Sequence, residues 1–266
     1  MVALKELKGR ALEVPKFWDN LLKDFLNSSE GIELESRLLA IDRQSQLYNK
    51  RGALTPLKLV FPRKVKAVLL VNEPITKDYR LPFIQNNGDF SPKSLKAMST
   101  WVNSFQESIA EKHEGTNYVH IKRNMQQSSY NSSYAIEQWS RVRKMLDYTG
   151  TSDISPFQTY NWYKQGLLIL NINFTGSPIQ SEHGHYGIWR KLLVAIIQRL
   201  QEMHKNMIFV SYNSAIVSQL SPHFDVKATG ANAFVAECGN LGTSLVKINT
   251  LIKSIHGTKK MINYLC

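Results

Sequence analysis

Apolar residues recur along much of this chain at the three- to four-residue spacing of helices. Phe17, Leu21 and Leu22 begin one such series, which predicts a helix over 14–30, and a second helix is predicted over 32–48. Similar patterns predict further helices from just after Ser94 to about 112, over 134–147, over 186–204, in a short stretch after Ser211, and over 241–255. The chain is therefore predicted to be rich in helices.

Four short apolar runs between these helices predict β-strands. The clearest are K-V-K-A-V-L-L-V at 64–71 and G-L-L-I-L-N at 166–171, followed by M-I-F-V at 207–210 and a candidate fourth run at 224–228. Because strands alternate with helices, we predict an α/β fold of three layers, in which helices cover both faces of a central four-stranded parallel sheet.

The carboxyl ends of these strands are the predicted location of a ligand site. In open parallel sheets, ligands bind beyond that edge of the sheet. The first candidates are therefore the residues that follow Val71, Leu170, Val210 and Ala228.

The charge of the chain narrows the class of partner. Among 266 residues, 33 Lys and Arg outnumber 21 Asp and Glu, which gives a formal net charge of +12. A basic chain of this size favours a polyanionic partner, most often nucleic acid. An ordinary solvated lysine is the simpler interpretation of each single candidate for a phosphate contact, namely Lys64, Lys66, Lys93, Lys227 and Lys247.

Several other classes of protein are disfavoured. No apolar run approaches the roughly 18 residues of a membrane-spanning helix, and the N-terminus lacks the layout of a secretory signal, so no membrane partner is expected. Cys238 and Cys266 form neither a metal spacing nor a disulfide framework, which indicates an intracellular, reducing compartment. E-H-G-H at 182–185 has the composition of a metal-binding fragment, but a zinc site needs three or four ligands. We predict a surface loop there, and no metal or other cofactor.

One segment carries a family resemblance. W-Y-K-Q-G-L-L-I-L-N at 162–171 closely resembles W-A-x-Q-G-V-L-L-L-N, a motif of the family-1 uracil-DNA glycosylases. Further similarities follow in the family's order: T-P-L at 55–57, P-K-S-L at 92–95, Trp189 in the helix after that strand, and a weaker match at 244–249. The resemblance implies the fold of the uracil-DNA glycosylase superfamily, with the divergence typical of viral and phage relatives.

The resemblance also divides the chain. It extends over about 50–256 and implies a uracil-DNA glycosylase-like domain at 51–266 with a polar insertion near 113–133. The residues before it, 1–50, form a predicted helical N-terminal extension.

The first catalytic motif of the family is altered here. G-Q-D-P-Y-H corresponds to V-N-E-P-I-T at 71–76. The resemblance therefore places Glu73 where the family has the Asp that orients the attacking water, and Ile75 where it has the Tyr that closes the pocket against a thymine methyl group. It implies that a base is held by Asn72, Ile75, Phe83 and Asn171, with Phe83 stacked on its face and Asn171 at its edge.

Two of these residues have simpler interpretations. Asn171 is also explained as a strand-end amide that satisfies backbone groups, and Glu73 as a loop carboxylate paired with Lys77 or Arg80.

The last catalytic motif, H-P-S-P-L-S, corresponds to G-A-N-A-F-V at 230–235. Gly230 stands where the family has the His that stabilises the departing uracil anion, and loss of such a donor costs about 10²–10³ in rate. Phe234 stands where a Leu wedges into the duplex, a role that Phe also performs. Pro92 and Ser94 correspond to residues that touch the DNA backbone, and Lys247 is a further DNA-binding candidate.

Three functions are compatible with these features. The first is a DNA-binding protein with impaired catalysis that acts as a binding or assembly subunit in DNA replication or repair, as poxvirus relatives do within a replication machine. A protein partner would then contact 1–50 or the insertion at 113–133. The second is an active DNA glycosylase with altered pyrimidine specificity, in which Glu73 activates the water that hydrolyses the N-glycosidic bond. The third is a protein–protein interaction module that no longer binds DNA.

Overall fold

The computed structural model describes the secondary structure of residues 16–45, 47–49, 52–72, 75, 79–82, 84–85, 162–178, 184–204, 206–211, 213–223, 234–235, 241–257 and 262. The α-helices are α1 Lys16–Leu26, α2 Ser29–Gln44, α3 Thr55–Leu59, α4 Gly184–Met203, α5 Ser214–Leu220 and α6 Leu241–His256. The strands are β1 Ala67–Val71, β2 Tyr79–Leu81, β3 Ile84–Gln85, β4 Leu167–Asn171, β5 Ile208–Ser211 and β6 Phe234–Val235. Short 3-10 helices lie at Pro62–Lys64 and Ser221–His223.

A four-stranded parallel sheet forms the centre of the fold, in the order β4-β1-β5-β6. The helices flank this sheet, which confirms the predicted α/β architecture. The predicted fourth run at 224–228 lies outside the described residues, and the fourth strand of the sheet is Phe234–Val235. β2 and β3 form a separate antiparallel pair.

The buried strands explain the unbroken apolar runs in the sequence. Every residue of β1, β4 and β5 is buried, as expected for parallel strands that are covered on both faces. β1 begins three residues later than predicted, at Ala67, because Pro62 starts a 3-10 helix that extends through Lys64. Lys66 then donates its backbone N–H to the carbonyl of Gly166, 2.8 Å away.

The boundary between the two N-terminal helices lies at a different residue from the one predicted. The sequence pattern suggested helices over 14–30 and 32–48, whereas the structure ends α1 at Leu26 and starts α2 at Ser29. Ser28 caps α2, since its hydroxyl accepts the backbone N–H of Gly31 at 3.3 Å. This cap, rather than the apolar spacing, sets the boundary.

α1 and α2 pack against α4 and share the core of the sheet. Trp18 is fully buried and donates its indole N–H to the carbonyl of Val60, 2.9 Å away. Within the described part of this region the chain forms α1 and α2, while the predicted N-terminal extension at 1–50 and its boundary stay predictions. Of the helices within the described ranges, none has the length and hydropathy needed to cross a membrane.

Candidate functional site

The carboxyl ends of β1 and β4 lie side by side. Val71 pairs with Asn171 in the sheet register, and the backbone N–H of Ile172 donates to the carbonyl of Val71 at 2.9 Å. Asn72 leaves β1 at this point, so the predicted base-site residues Asn72 and Asn171 emerge at one edge of the sheet. This is the edge at which ligands bind in open parallel sheets.

Three asparagine residues are joined by hydrogen bonds there. Asn173 donates its side-chain amide to Oδ1 of Asn72 at 2.8 Å, and its backbone N–H lies 3.3 Å from Oδ1 of Asn171. Asn171 and Asn173 are almost fully buried, while Asn72 is partly exposed. We call these three residues the amide cluster.

The amide cluster contains a buried acceptor with no partner among the described residues, the side-chain oxygen Oδ1 of Asn173. A buried polar atom without a hydrogen bond is costly, by about 1–3 kcal/mol, so such an atom at the ligand edge suits a donor brought in by a ligand. The N–H groups of a nucleobase edge are donors of this kind.

Asn173 is a site residue that the sequence analysis does not predict. Its signal is the spacing N-I-N at 171–173, because an Asn side chain readily accepts the backbone N–H of the residue two positions on and so turns the chain at a strand end. The family motif ends at Asn171, so the resemblance does not extend to it.

Ile75, the third described residue of the predicted base site, lies close to the segment that follows the amide cluster. A Cβ added at Gly176 would stand 2.5 Å from the carbonyl oxygen of Ile75 and 2.9 Å from its Cβ. Only a glycine at 176 allows this close approach. The structure therefore brings Ile75 beside Gly176, and the role of Ile75 in holding a base stays a prediction.

The remaining predicted site residues are placed as follows. Lys247 is exposed on α6, and the backbone of Phe234 pairs with Phe209 in the sheet. The roles of both residues in DNA binding stay predictions. Outside the residues whose placement is described lie Glu73, Phe83, Pro92, Ser94 and Gly230.

The segment after the amide cluster is held by two contacts from the N-terminal region. Tyr48 donates its backbone N–H to the carbonyl of Gly176 at 2.6 Å. Asn49 donates its side-chain amide to the carbonyl of Phe174 at 2.9 Å, and it adopts a left-handed φ of 59°. Asn tolerates that conformation better than most residues do. The N-terminal region thus supports the ligand edge of the sheet.

A buried hydrogen-bonded chain anchors the same segment to α4. Trp189 donates its indole N–H to the hydroxyl of Thr175 at 2.7 Å, and that hydroxyl lies 3.1 Å from Nδ1 of His185. Nε2 of His185 lies 3.3 Å from the hydroxyl of Ser177. If the Thr175 hydroxyl donates to Nδ1, then Nε2 carries the proton and donates to Ser177, so that a neutral imidazole completes the chain.

This chain corrects the prediction for His185, the last residue of E-H-G-H at 182–185, of which Glu182 and His183 lie outside the described residues. A surface loop was expected, but His185 lies in the first turn of α4 and is only 2% exposed. Both of its ring nitrogens are engaged by hydroxyl groups rather than directed to solvent. Within the described residues, no group of three or more His, Cys, Asp or Glu side chains is placed to hold a metal ion.

His185 predicts a pH dependence of stability. Burial lowers the pKa of its imidazole from the usual 6.5, so below pH 6.5 the unfolded chain binds a proton that the folded chain resists. The contribution of this residue to the free energy of unfolding is complete above pH 6.5. It is lost as the pH falls from 6.5 toward the folded pKa, by up to about 1.4 kcal/mol per pH unit.

Urea denaturation at pH 7.5 and 5.5 measures this effect. We expect the stability difference between wild type and His185→Gln to shrink at pH 5.5, whereas the partly exposed His223→Gln serves as the matched control. Equal differences at both pH values would show that His185 does not titrate in this way.

The arrangement of the sheet and its flanking helices is shared with known structures. The mimivirus uracil-DNA glycosylase superimposes with a TM-score of 0.55 at 16% identity, covering 90% of this chain and 83% of that chain. The uracil-DNA glycosylase of Nitratifractor salsuginis superimposes with a TM-score of 0.52 at 14% identity, covering 94% of this chain and 92% of that one. The fold is that of the uracil-DNA glycosylases.

A third structure with this fold extends the comparison. A variant of the mimivirus uracil-DNA glycosylase, in complex with UGI, has a TM-score of 0.57 and 16% identity over 90% of this chain and 85% of that chain. The amino-acid sequence matches no protein-family model and no curated protein. Structural similarity therefore shows the uracil-DNA glycosylase fold. The sequence identity of 14–16% does not by itself establish an activity for this chain.

Proposed function

We propose that this protein binds DNA at the carboxyl edge of its sheet and receives a nucleobase at the amide cluster. The observation that carries the proposal is the convergence of Asn72, Asn171 and Asn173, which includes the unpartnered acceptor Oδ1 of Asn173. Amide groups pair with the hydrogen-bonding edge of a base that has been turned out of the stack. The formal charge of +12 supplies attraction for the phosphate backbone.

We further propose that catalysis is impaired and that the protein serves as a binding or assembly subunit in DNA replication or repair. Support comes from the catalytic positions in the sequence, where Gly230 replaces an anion-stabilising His and Ile75 replaces a pocket Tyr. Loss of the His alone is expected to lower the rate by about 10²–10³. Glu73 keeps a carboxylate at the water-activating position, but a side chain one methylene longer holds it at a different distance.

Binding and base release measured in the same samples test the proposal. The substrates are single- and double-stranded oligonucleotides that carry uracil, 5-hydroxymethyluracil or a base-free site analogue. We expect salt-sensitive binding without base release, and a preference for the base-bearing strand over the base-free one. In Asn171→Ala, this preference falls about tenfold, because a hydrogen-bonded base edge is worth roughly 1–3 kcal/mol.

The matched control is Asn20→Ala, which removes the same amide from the exposed face of α1 and should leave the preference unchanged. Base release that disappears in Glu73→Gln would instead establish an active glycosylase with altered pyrimidine specificity. If the protein neither binds the oligonucleotides nor releases a base, both DNA-dependent functions are contradicted. A protein–protein interaction module is then favoured.

A further inference from the structure

A cavity lies at the opposite edge of the sheet from the amide cluster. Its volume is about 640 Å³, within the usual range for ligand pockets. We call it the amino-edge pocket. Its walls carry a concentration of basic side chains, namely Arg63, Lys64, Lys66, Lys164, His204 and His256.

The parallel topology brings these residues together from distant parts of the chain. Lys64 and Lys66 precede β1, and Lys164 precedes β4, so all three stand where neighbouring parallel strands begin. Gly166 makes the approach possible, because a Cβ there would stand 2.4 Å from the carbonyl oxygen of Lys64. His204 follows α4 and is held at the wall by a hydrogen bond from its Nε2 to the carbonyl of Pro62 at 2.8 Å.

Helix dipoles offset only part of this positive charge. Two helices end at the pocket, α4 at Met203 and α6 at His256, and each helix end carries about half a negative charge. Together they offset about one of the three permanent cations Arg63, Lys64 and Lys164. No Asp or Glu is among the described residues that line the pocket. An excess of about two positive charges therefore remains on these three side chains, and it suits a multiply charged anion.

Three apolar residues also line the pocket. Val65 and Met207 are buried, and Met203 is partly exposed. A wall that combines cationic and apolar side chains suits a ligand in which a flat or aliphatic group is joined to phosphates. Nucleotide units combine these two features, whether free or within a strand.

We propose that the amino-edge pocket is a phosphate-binding site that takes nucleotide units. It is separate from the amide cluster, because the five residues of β4 between the two edges span about 13 Å at 3.3 Å per residue. This inference goes beyond the proposed function and does not depend on it. The pocket can hold a phosphate-bearing ligand whether or not the amide cluster receives a base.

The test uses three probes of increasing complexity: inorganic tripolyphosphate, ATP and an eight-residue oligothymidylate. Isothermal titration calorimetry compares wild type with the double variant Lys64→Gln/Lys164→Gln. Both side chains are exposed, so this variant is expected to fold, and thermal unfolding followed by circular dichroism verifies it. The matched control, Lys23→Gln/Lys58→Gln, removes the same charge from exposed positions on α1 and α3, which do not line the pocket.

We expect the pocket variant to bind all three probes roughly tenfold more weakly, since it loses two charged contacts to phosphate, and the control variant to change affinity less than about twofold. For the oligothymidylate, the slope of log affinity against log salt should flatten by about 1.4, or about 0.7 for each lost phosphate contact. ATP binding tighter than tripolyphosphate binding would indicate a free nucleotide that also contacts the apolar residues of the pocket. Oligothymidylate binding tighter than both would indicate a nucleic-acid strand.

Two results would overturn the inference: wild type that binds none of the probes, or equal losses in the pocket variant and its control. Asn171→Ala separates the two proposals, because it should leave tripolyphosphate binding intact while it lowers the base preference about tenfold. Failure of one proposal is thus distinguishable from failure of the other.

Discussion

Replacing Trp189 by alanine lowers the free energy of unfolding by about 3–5 kcal/mol, the usual cost of emptying a buried aromatic site. Trp189 is fully buried on α4, and its ring centroid lies 5.1 Å from that of Phe174. Its indole N–H also donates to Thr175, which links α4 to the segment beyond the amide cluster. The substitution therefore removes both a large apolar contact and the anchor of the ligand edge.

Trp189→Phe separates these two contributions. Phenylalanine keeps most of the apolar volume but lacks the indole donor, so we expect a loss of about 1–3 kcal/mol from the weakened hydrogen-bonded chain through Thr175 and His185. Urea denaturation followed by far-ultraviolet circular dichroism measures both variants.

The control for Trp189 is Ile32→Ala, which truncates an apolar side chain that is 60% exposed and should change stability by less than about 0.5 kcal/mol. If Trp189→Ala were as mild as this control, α4 would not be packed on the 174–177 segment as the structure shows.

Gly166→Ala lowers the free energy of unfolding by about 2–4 kcal/mol. Gly166 has a φ of 101°, a conformation that residues with a side chain reach only at a cost of about 1–3 kcal/mol. The added Cβ would also stand 2.4 Å from the carbonyl oxygen of Lys64, a backbone atom that moves only if the start of β1 moves. Strain and steric overlap thus act together.

Gly187→Ala makes the same chemical change without either penalty. Gly187 is exposed in the first turns of α4, and nothing lies within 4 Å of the position that its Cβ would take. Since alanine favours helix over glycine, we expect an increase of roughly 0.5 kcal/mol. Chemical denaturation of both alanine variants under identical conditions checks the pair. Equal effects would contradict the strained geometry assigned to Gly166.

Local patterns in the sequence were sufficient to predict the main elements of the fold. Fully buried parallel strands leave unbroken apolar runs, so β1, β4 and β5 are visible as L-L-V, L-L-I-L and I-F-V segments, and α4 is visible by its helical spacing. The motif at 162–171 indicates the uracil-DNA glycosylase fold on its own residues. Local signals are enough here because each is contained within one short segment.

Local sequence patterns do not predict the roles of residues that depend on contacts between distant segments. The sequence predicts a loop at His185, because nothing nearby in the chain reveals that Thr175 and Ser177 surround its ring. Asn173 gains its importance only when β1 brings Asn72 within 2.8 Å of it. Burial and hydrogen bonding at these positions are set by the packing of separate elements.

The amino-edge pocket shows most clearly which features the sequence determines and which depend on the tertiary structure. Lys64 and Lys66 could be named from the sequence as possible phosphate contacts, but each one alone had an ordinary solvated lysine as its simpler interpretation. About a hundred residues separate them from Lys164, and only the parallel pairing of β1 with β4 places the three at one edge. The amino-acid sequence specifies which charges the chain carries. Their position around one cavity is decided by tertiary packing, because the pairing of β1 with β4 brings residues about a hundred positions apart to the same edge of the sheet.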